Sequence, residues 1–551
     1  MKRMGTSAIG AEWVALTFLV VSIAAPSLAA DGRILVHIVD EAAEITPARA
    51  WIDFENQRLF KPIGPETVTP YDQDRSFSCD GSFTMLVPAG RAILHVEKGK
   101  EYQSVDIQID VEPNQTIERT VVLKRWIDMP GMGWYSADLH VHLGHDNPRV
   151  LQQLSLADDV HLVPSFTYWL RGTEAAWQAE WPDDAYTQPM AIDDHHIVTR
   201  NNIEIERIHR DALPGATIGA TFLFNLKHPV TATRYGEHFP TDADLCQIAR
   251  RDSLDSVFDS DKPSWAETVV GAALGMLDTV QIGHNHYYRS STGKGGYGMI
   301  GPLAVGESNE AVGDGLFHRT NALYYRLLNC GFRLAVSGGS AIGVKAMPTG
   351  HHRVYAHIDG PLTADKMWAS IKAGRSFVTT GPMLTLTANG SDIGSTIVFD
   401  SKNVSPIVVH TEVRSIEALE SLEIVHNGHI VASRDLHTMQ PAPLVESELK
   451  FSFTAKRSGW IAARALYRAP DGLLRQAHTS PIYLSLDNKP IAVAEDAHYM
   501  LRWLDQIEVI ARSQPNRYPD ADSKQAVLTT YAKARQRYET IVAAAQREWA
   551  E

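Results

Sequence analysis

This 551-residue chain has few cysteines, and their number is odd: Cys79, Cys246 and Cys330 stand far apart. Three such residues form no disulfide framework, and no Cys-x-x-Cys is present to grip zinc. The chain also lacks a basic surplus. Its formal charge is −14, or 49 − 64 = −15 once Lys2, Arg3 and Glu12 are set aside. An acidic balance of that size argues against a nucleic-acid partner, which needs cations to replace phosphate counterions. No Gly-x-Ser-x-Gly elbow occurs, so a serine-hydrolase reading has no nucleophile. The glycine-rich stretch Thr292–Gly298 lacks the Gly-Lys-Ser/Thr ending of a phosphate loop and is expected to be a loop beside the site.

Long apolar runs are absent after the first thirty residues. There, Lys2 and Arg3 precede Val14–Ala25, and the small residues Ser27–Ala30 offer a cleavage point. This pattern predicts a signal peptide and an exported, periplasmic or secreted protein with no membrane contact after cleavage.

What is present divides into blocks. Residues 31–125 carry alternating apolar residues between turns (Ile34, Val36 and Ile38; Phe83, Met85 and Val87), which predicts a small antiparallel sandwich. The phrase Gly81–Gly90 resembles the carboxypeptidase regulatory-like domains. From 126 to 382, short apolar runs alternate with helix-like stretches. The runs are Val160–Pro164, Ile203–Glu206, Ala220–Phe224, Thr279–Ile282 and Leu334–Val336; Ala322–Cys330 is helix-like and is closed by Gly331. An α/β unit with a mostly parallel sheet or barrel is expected, with chemistry at the carboxyl ends of its strands. Residues 383–487 return to strand patterns, with Asn389-Gly390 and Asn427-Gly428 as hairpin turns. Residues 488–551 show two helical stripes, Met500, Leu504, Ile507, Ala511 and Val527, Tyr531, Ala534, Tyr538, Ile541, Ala545, expected to form a packed helical hairpin.

The stretch Gly133–His142 is the centre of the reading. Behind a Gly131-Met132-Gly133 turn, Leu139, Val141 and Leu143 alternate with polar residues, so an extended strand turns His140 and His142 to one face. Two neutral imidazoles on a stiff segment can hold a divalent metal. A second cluster, His284-Asn285-His286 with Tyr287 and Arg289, follows the run 279–282. Glu204 and Glu206 share a face of another run, and Asp158-Asp159 open the one after the histidine pair.

Several of these stretches together resemble the PHP superfamily, in its CehA/McbA branch of metallohydrolases. The likeness runs through Gly133–His142, Thr167-Tyr168-Trp169, Asn285–Arg289, Tyr325–Leu334 and Ala373–Pro382, and covers roughly 126–390. It implies an irregular (β/α)7 barrel, a metal centre and hydrolysis. By position it implies His140, His142, Asp159 and His286 as metal ligands. Glu206 would be a further ligand or the base, with Glu204 as the other register, and Arg289 and Tyr168 would line the pocket. The chain departs from the family at Thr167-Tyr168-Trp169 and Ser340-Ala341-Ile342, and near Pro263 and Lys345. One metal ion, or two, is therefore expected rather than three. With imidazoles outnumbering carboxylates, zinc or manganese is expected over calcium. The expected activity is hydrolysis of an ester, carbamate or phosphoester in a small-molecule or glycan substrate. The alternative is a degenerate barrel that binds an extracellular glycan or a partner without turnover.

Overall fold

A computed structural model describes residues 31–55, 57–59, 62–63, 68–71, 75–144, 147–171, 188–207, 218–230, 234–287, 314–402, 405–437 and 444–550. The expected signal peptide, Arg289 and the glycine-rich stretch 292–298 lie outside them, as does the side chain of Tyr168. The protein is mixed α/β and mostly strand, built of several sheets and few helices.

At the N-terminus a 3-stranded sheet faces a larger one of order 68–71, 76–79, 48–54, 90–97, 105–111. Alternate residues of each strand point inward: Ile34, Val36, Ile38, Ala50, Ile52, Leu94 and Val96 form one core with Phe77 and Phe83. Cys79 is buried there as a small apolar residue, and Cys246 and Cys330 are likewise buried and unpaired.

The central sheet carries the strands Trp134–Ala137, Leu162–Arg171, Ile197–Arg207, Val257–Ser260, Thr279–Gly283 and Ala335–Gly338, all running one way. These like-directed strands fit the expected mostly parallel sheet, with two interruptions. Gly219–Phe224 is inserted antiparallel between Ile197–Arg207 and Val257–Ser260, and Arg353–His357 pairs antiparallel with Trp134–Ala137. Beyond Gly338 the chain turns back on the histidine segment. Leu139 N–H donates to the Gly338 carbonyl at 3.0 Å, and His142 N–H to that of Ile342 at 2.9 Å.

The region 383–487 differs from an independent sandwich. Its 4-stranded sheet is separate, but the facing layer (Leu474–Thr479, Gly459–Arg468, Leu419–His426) continues the central sheet through the pairing of Ser376–Thr379 with Leu474–Thr479. Gly459–Arg468 and Leu474–Thr479 are buried along nearly their whole length, which lets them lie within a large covered sheet. Asn389-Gly390 and Asn427-Gly428 all have positive φ (48°, 76°, 50° and 85°), the pairing that tight hairpin turns require.

The helices Ala494–Ser513 and Ala521–Ala550 form the C-terminal hairpin. Both apolar stripes are buried, and Tyr538 donates to the Val269 carbonyl at 2.8 Å, so the hairpin covers the helix Thr268–Ala273. Among the described residues, no helix is long and apolar enough to cross a membrane.

Candidate metal centre

Pro130–Met132 forms one 3-10 turn, and Gly133 leaves it in the left-handed region (φ 79°) to enter the strand Trp134–Ala137. The regular strand stops at Ala137, short of the expected 139–143. The next residues are held instead by single backbone bonds to both neighbours: Phe166 N–H reaches the Val141 carbonyl at 2.9 Å, opposite the bonds to Gly338 and Ile342. Asp138 fixes this exit. It is fully buried, and its carboxylate accepts N–H bonds from His140 (3.1 Å), Ser340 (2.9 Å) and Gly350 (2.6 Å). Burial lifts its pKa to about 6, while these donors pull the other way. Gly339 passes so close that a β-carbon there would lie 2.4 Å from His140 Cβ and 2.7 Å from His140 N.

The imidazoles of His140 and His142 converge with Glu204, from Ile197–Arg207, on one point. The two Nε2 atoms are 3.0 Å apart; Glu204 Oε2 is 3.0 Å from His142 Nε2 and 4.0 Å from His140 Nε2. All three side chains are at least nine-tenths buried. Two nitrogens and an oxygen around zinc at bonds of ~2.0–2.2 Å sit roughly 3.3–3.6 Å apart, so the observed spread brackets the requirement. Glu204 Oε2 is buried and makes no hydrogen bond among the described residues, as a donor atom held for an ion would. Burial first, then the neighbouring Glu206 and Asp261, pushes the Glu204 carboxyl well above its ordinary range; burial likewise lowers His140. A site that penalises both the carboxylate and the imidazolium when empty of charge is one that a divalent cation relieves. The donor set fits a metal.

The rings of Phe166 and Phe222 pack on the histidines, with centroids 4.5 Å (Phe222 to His140) and 5.2 Å (Phe166 to His142) apart. His140 Nδ1 lies 3.4 Å from Asp261 Oδ1. Asp261 Oδ2 is taken by Trp265 Nε1 at 2.9 Å and by a short contact to Lys262 Nζ. Against the upward pull of burial, Lys262 and then His140 hold the Asp261 carboxyl well below the usual carboxylate range.

The expected ligands separate in the structure. His140 and His142 meet. Glu204, the other register, takes the place given to Glu206, which stands two residues on along the same strand and is half-buried. His286 is outside the three-residue group; its ring is 5.5 Å from that of His284 and 6.4 Å from Trp265, on the Lys262 side. Asp159 belongs to a different cluster, with His161 and His196. Tautomers explain why that cluster is a poor metal site. His161 Nδ1 accepts the Ser136 N–H at 2.8 Å, so its proton sits on Nε2 and leaves no lone pair there. His196 has Nδ1 2.9 Å from Asp193 and Nε2 3.4 Å from Asp159. Although burial opposes it, these two carboxylates raise the His196 pKa, as an imidazolium held between them requires. Asp159 also faces Arg125 at 3.4 Å. A third group, His410, Glu412 and Glu448, is a surface ion-pair set on neighbouring strands.

Sequence reading gave no role to Asp138, Asp261 and Lys262. The first two are single acidic residues at strand ends, and nothing in the chain around them announces that they meet His140. No protein-family model matches this chain, and no curated protein matches it.

Proposed function

We propose that this protein is a metal-dependent hydrolase of the PHP type, resembling the CehA/McbA branch, acting outside the cytoplasm on an ester-, carbamate- or phosphoester-type bond. The observation that carries the proposal is the meeting of His140 Nε2, His142 Nε2 and Glu204 Oε2 in a buried cluster walled by aromatic rings. Its position supports the reading. His140, Asp261, His286 and Ser340 all lie just beyond the carboxyl ends of strands that run one way, where α/β enzymes gather their chemistry. The backbone bonds from Leu139 and His142 to Gly338 and Ile342 support closure of these strands into an irregular barrel.

His140, His142 and Glu204 would hold the ion, with zinc or manganese favoured by the nitrogen-rich set. When bound, such an ion lowers the pKa of a water from 15.7 towards ~7 and polarises the scissile carbonyl or phosphoryl oxygen. Asp261 Oδ1, 3.4 Å from His140 Nδ1, would orient that ring from the side away from the ion. Phe166 and Phe222 keep bulk water from the imidazoles. Glu206, on the same strand face as Glu204, is the residue we assign to accept the proton of the attacking water.

The test is elemental analysis of protein purified without added metal, followed by turnover of aryl esters, carbamates and phosphoesters. Stoichiometric transition metal and hydrolysis, both lost in the double variant His140→Ala/His142→Ala, are the expected results. A folded double variant with unchanged metal content and turnover would overturn the assignment. Metal-free protein that still binds a glycan would favour the non-catalytic alternative.

A further inference from the structure

We propose that the cavity where the N-terminal sandwich, the central sheet and the C-terminal layer meet is a binding site, separate from the metal centre, for a small anionic polyol: a molecule carrying a carboxylate or phosphate beside hydroxyls.

The cavity encloses about 270 Å3 and takes its walls from all three parts of the chain. Lys98 and Tyr102 come from the first, Thr349 and Arg353 from the second, Glu417 and Tyr467 from the third. None of His140, His142 and Glu204 lines it. The exposed Ser104 and Pro470 belong to its lining, so a solute can enter. Pockets for drug-sized ligands measure ~300–1,000 Å3, so this one suits a single ring or a short chain.

Charge selects an anion. The lining holds more Lys and Arg side chains than carboxylates, in a chain whose net charge is −14. Two of the cations are buried and make no ion pair among the described residues. Arg353, 1% exposed, spends its donors on backbone: Nε on the Gly350 carbonyl at 2.6 Å, Nη1 and Nη2 on those of Asp159 and Asp158 at 2.9 Å. Lys98, 6% exposed, gives two N–H bonds to the carbonyls of Pro47 (2.8 Å) and Leu156 (2.6 Å), and its third has no partner among the described residues. The neighbouring carboxylates are taken: Asp158 faces Arg49, and Asp159 faces Arg125 and His196. Burial first holds the Lys98 ammonium below the ordinary lysine range, against the pull of Asp159. Buried cations satisfied only by carbonyls beside a cavity favour an incoming negative group.

The remaining polar groups select hydroxyls around that charge. Thr349 Oγ1 is buried and has no hydrogen-bond partner. The Tyr102 hydroxyl accepts from Arg125 at 2.7 Å and keeps its own hydrogen to give. Glu417, half-buried on the C-terminal side, supplies an acceptor for a ligand O–H. A carboxylate there repels a bare anion, but a polyol can meet it with hydroxyls while its charged group stays with Lys98.

The experiment is calorimetric titration of the full chain at low ionic strength with gluconate, glucose 6-phosphate and uncharged glucose. Saturable binding of at least one of the two anions, with glucose much weaker, is expected; whichever anion binds tighter identifies carboxylate or phosphate as the charged group. Lys98→Met is expected to weaken binding by roughly tenfold or more, and Thr349→Val by about threefold to tenfold, with metal content unchanged. The double variant His140→Ala/His142→Ala should bind the anion as before. Should Lys98→Met fail to fold by circular dichroism, Thr349→Val and Lys100→Ala carry the test. No saturable binding of either anion, glucose binding as tightly as they do, or undiminished affinity in the folded cavity variants overturns the inference. Loss of anion binding in the histidine double variant alone would also overturn it, by placing the anion at the metal centre.

Discussion

Glu204 and Glu206 differ by one strand repeat, and the difference decides which of them meets the histidines. Both project from the same face of Ile197–Arg207, so alternation alone cannot choose between them. Pairing does: Glu204 stands opposite Phe222, the residue whose ring packs on His140, whereas Glu206 stands opposite Ala220. Glu204→Gln is therefore expected to lose most bound metal, while Glu206→Gln retains it and loses turnover. Elemental analysis beside a kcat measurement separates the two. Gly339 makes a second test at this scale. Gly339→Ala places a methyl 2.4 Å from His140 Cβ, against backbone that cannot yield cheaply. A cost of about 1–3 kcal/mol is expected from such overpacking, with weaker metal retention, read by thermal melts and metal titration. The histidine pair was legible because His-x-His lies within five consecutive residues of an alternating pattern. Asp261 was not, since its role exists only through contacts with His140, Lys262 and Trp265.

Elements carry the pH response. In the strand Leu474–Thr479, His478 is fully buried: its Nδ1 donates to the Thr479 carbonyl at 2.8 Å and its Nε2 accepts from the Tyr325 hydroxyl at 2.8 Å. That geometry fixes a neutral ring, and burial, with Arg464 nearby, lowers its pKa to about 3. The unfolded chain takes up a proton near pH ~6.5 while the folded one does not. The contribution is thus fully present above about pH 6.5 and is lost as pH falls towards 3, by up to ~1.4 kcal/mol per pH unit. Chemical unfolding between pH 7.5 and 4.5 should show a shallower pH slope for His478→Gln than for the unsubstituted protein; equal slopes would rule this account out. The C-terminal helices were readable for a related reason. Apolar residues at 3.6-residue spacing mark a helix and its buried face together, and Trp503, Leu504, Tyr531 and Tyr538 are all buried.

Across the whole molecule, the N-terminal sandwich is tied to the central sheet by buried charge. Arg49 reaches Asp158 at 3.1 Å, with both side chains 3% exposed, and also contacts Glu97. Lys98 donates to the carbonyls of Pro47 and Leu156, and Tyr355 donates to Glu101 at 3.1 Å. Breaking a buried pair strands the remaining charge, so Arg49→Ala is expected to cost about 3–5 kcal/mol. Because the C-terminal layer is hydrogen-bonded into the same sheet, that loss should lower one common transition in calorimetry. Independent melting of the sandwich would show that the parts are uncoupled.

The sequence by itself determined the local quantities: which stretches alternate as strands, where Asn-Gly turns fall, which helix faces are apolar, and that His140 and His142 project together. These depend on neighbours in the chain, and a period of 2 or 3.6 records them. Only the tertiary structure decided what depends on partners far along the chain. It put Glu204 and not Asp159 beside the histidines, set Gly219–Phe224 antiparallel among parallel strands, and drew the C-terminal strands into the central sheet. Strand register and charge pairing arise between segments far apart in the chain, and no local pattern encodes which of two equivalent carboxylates will arrive.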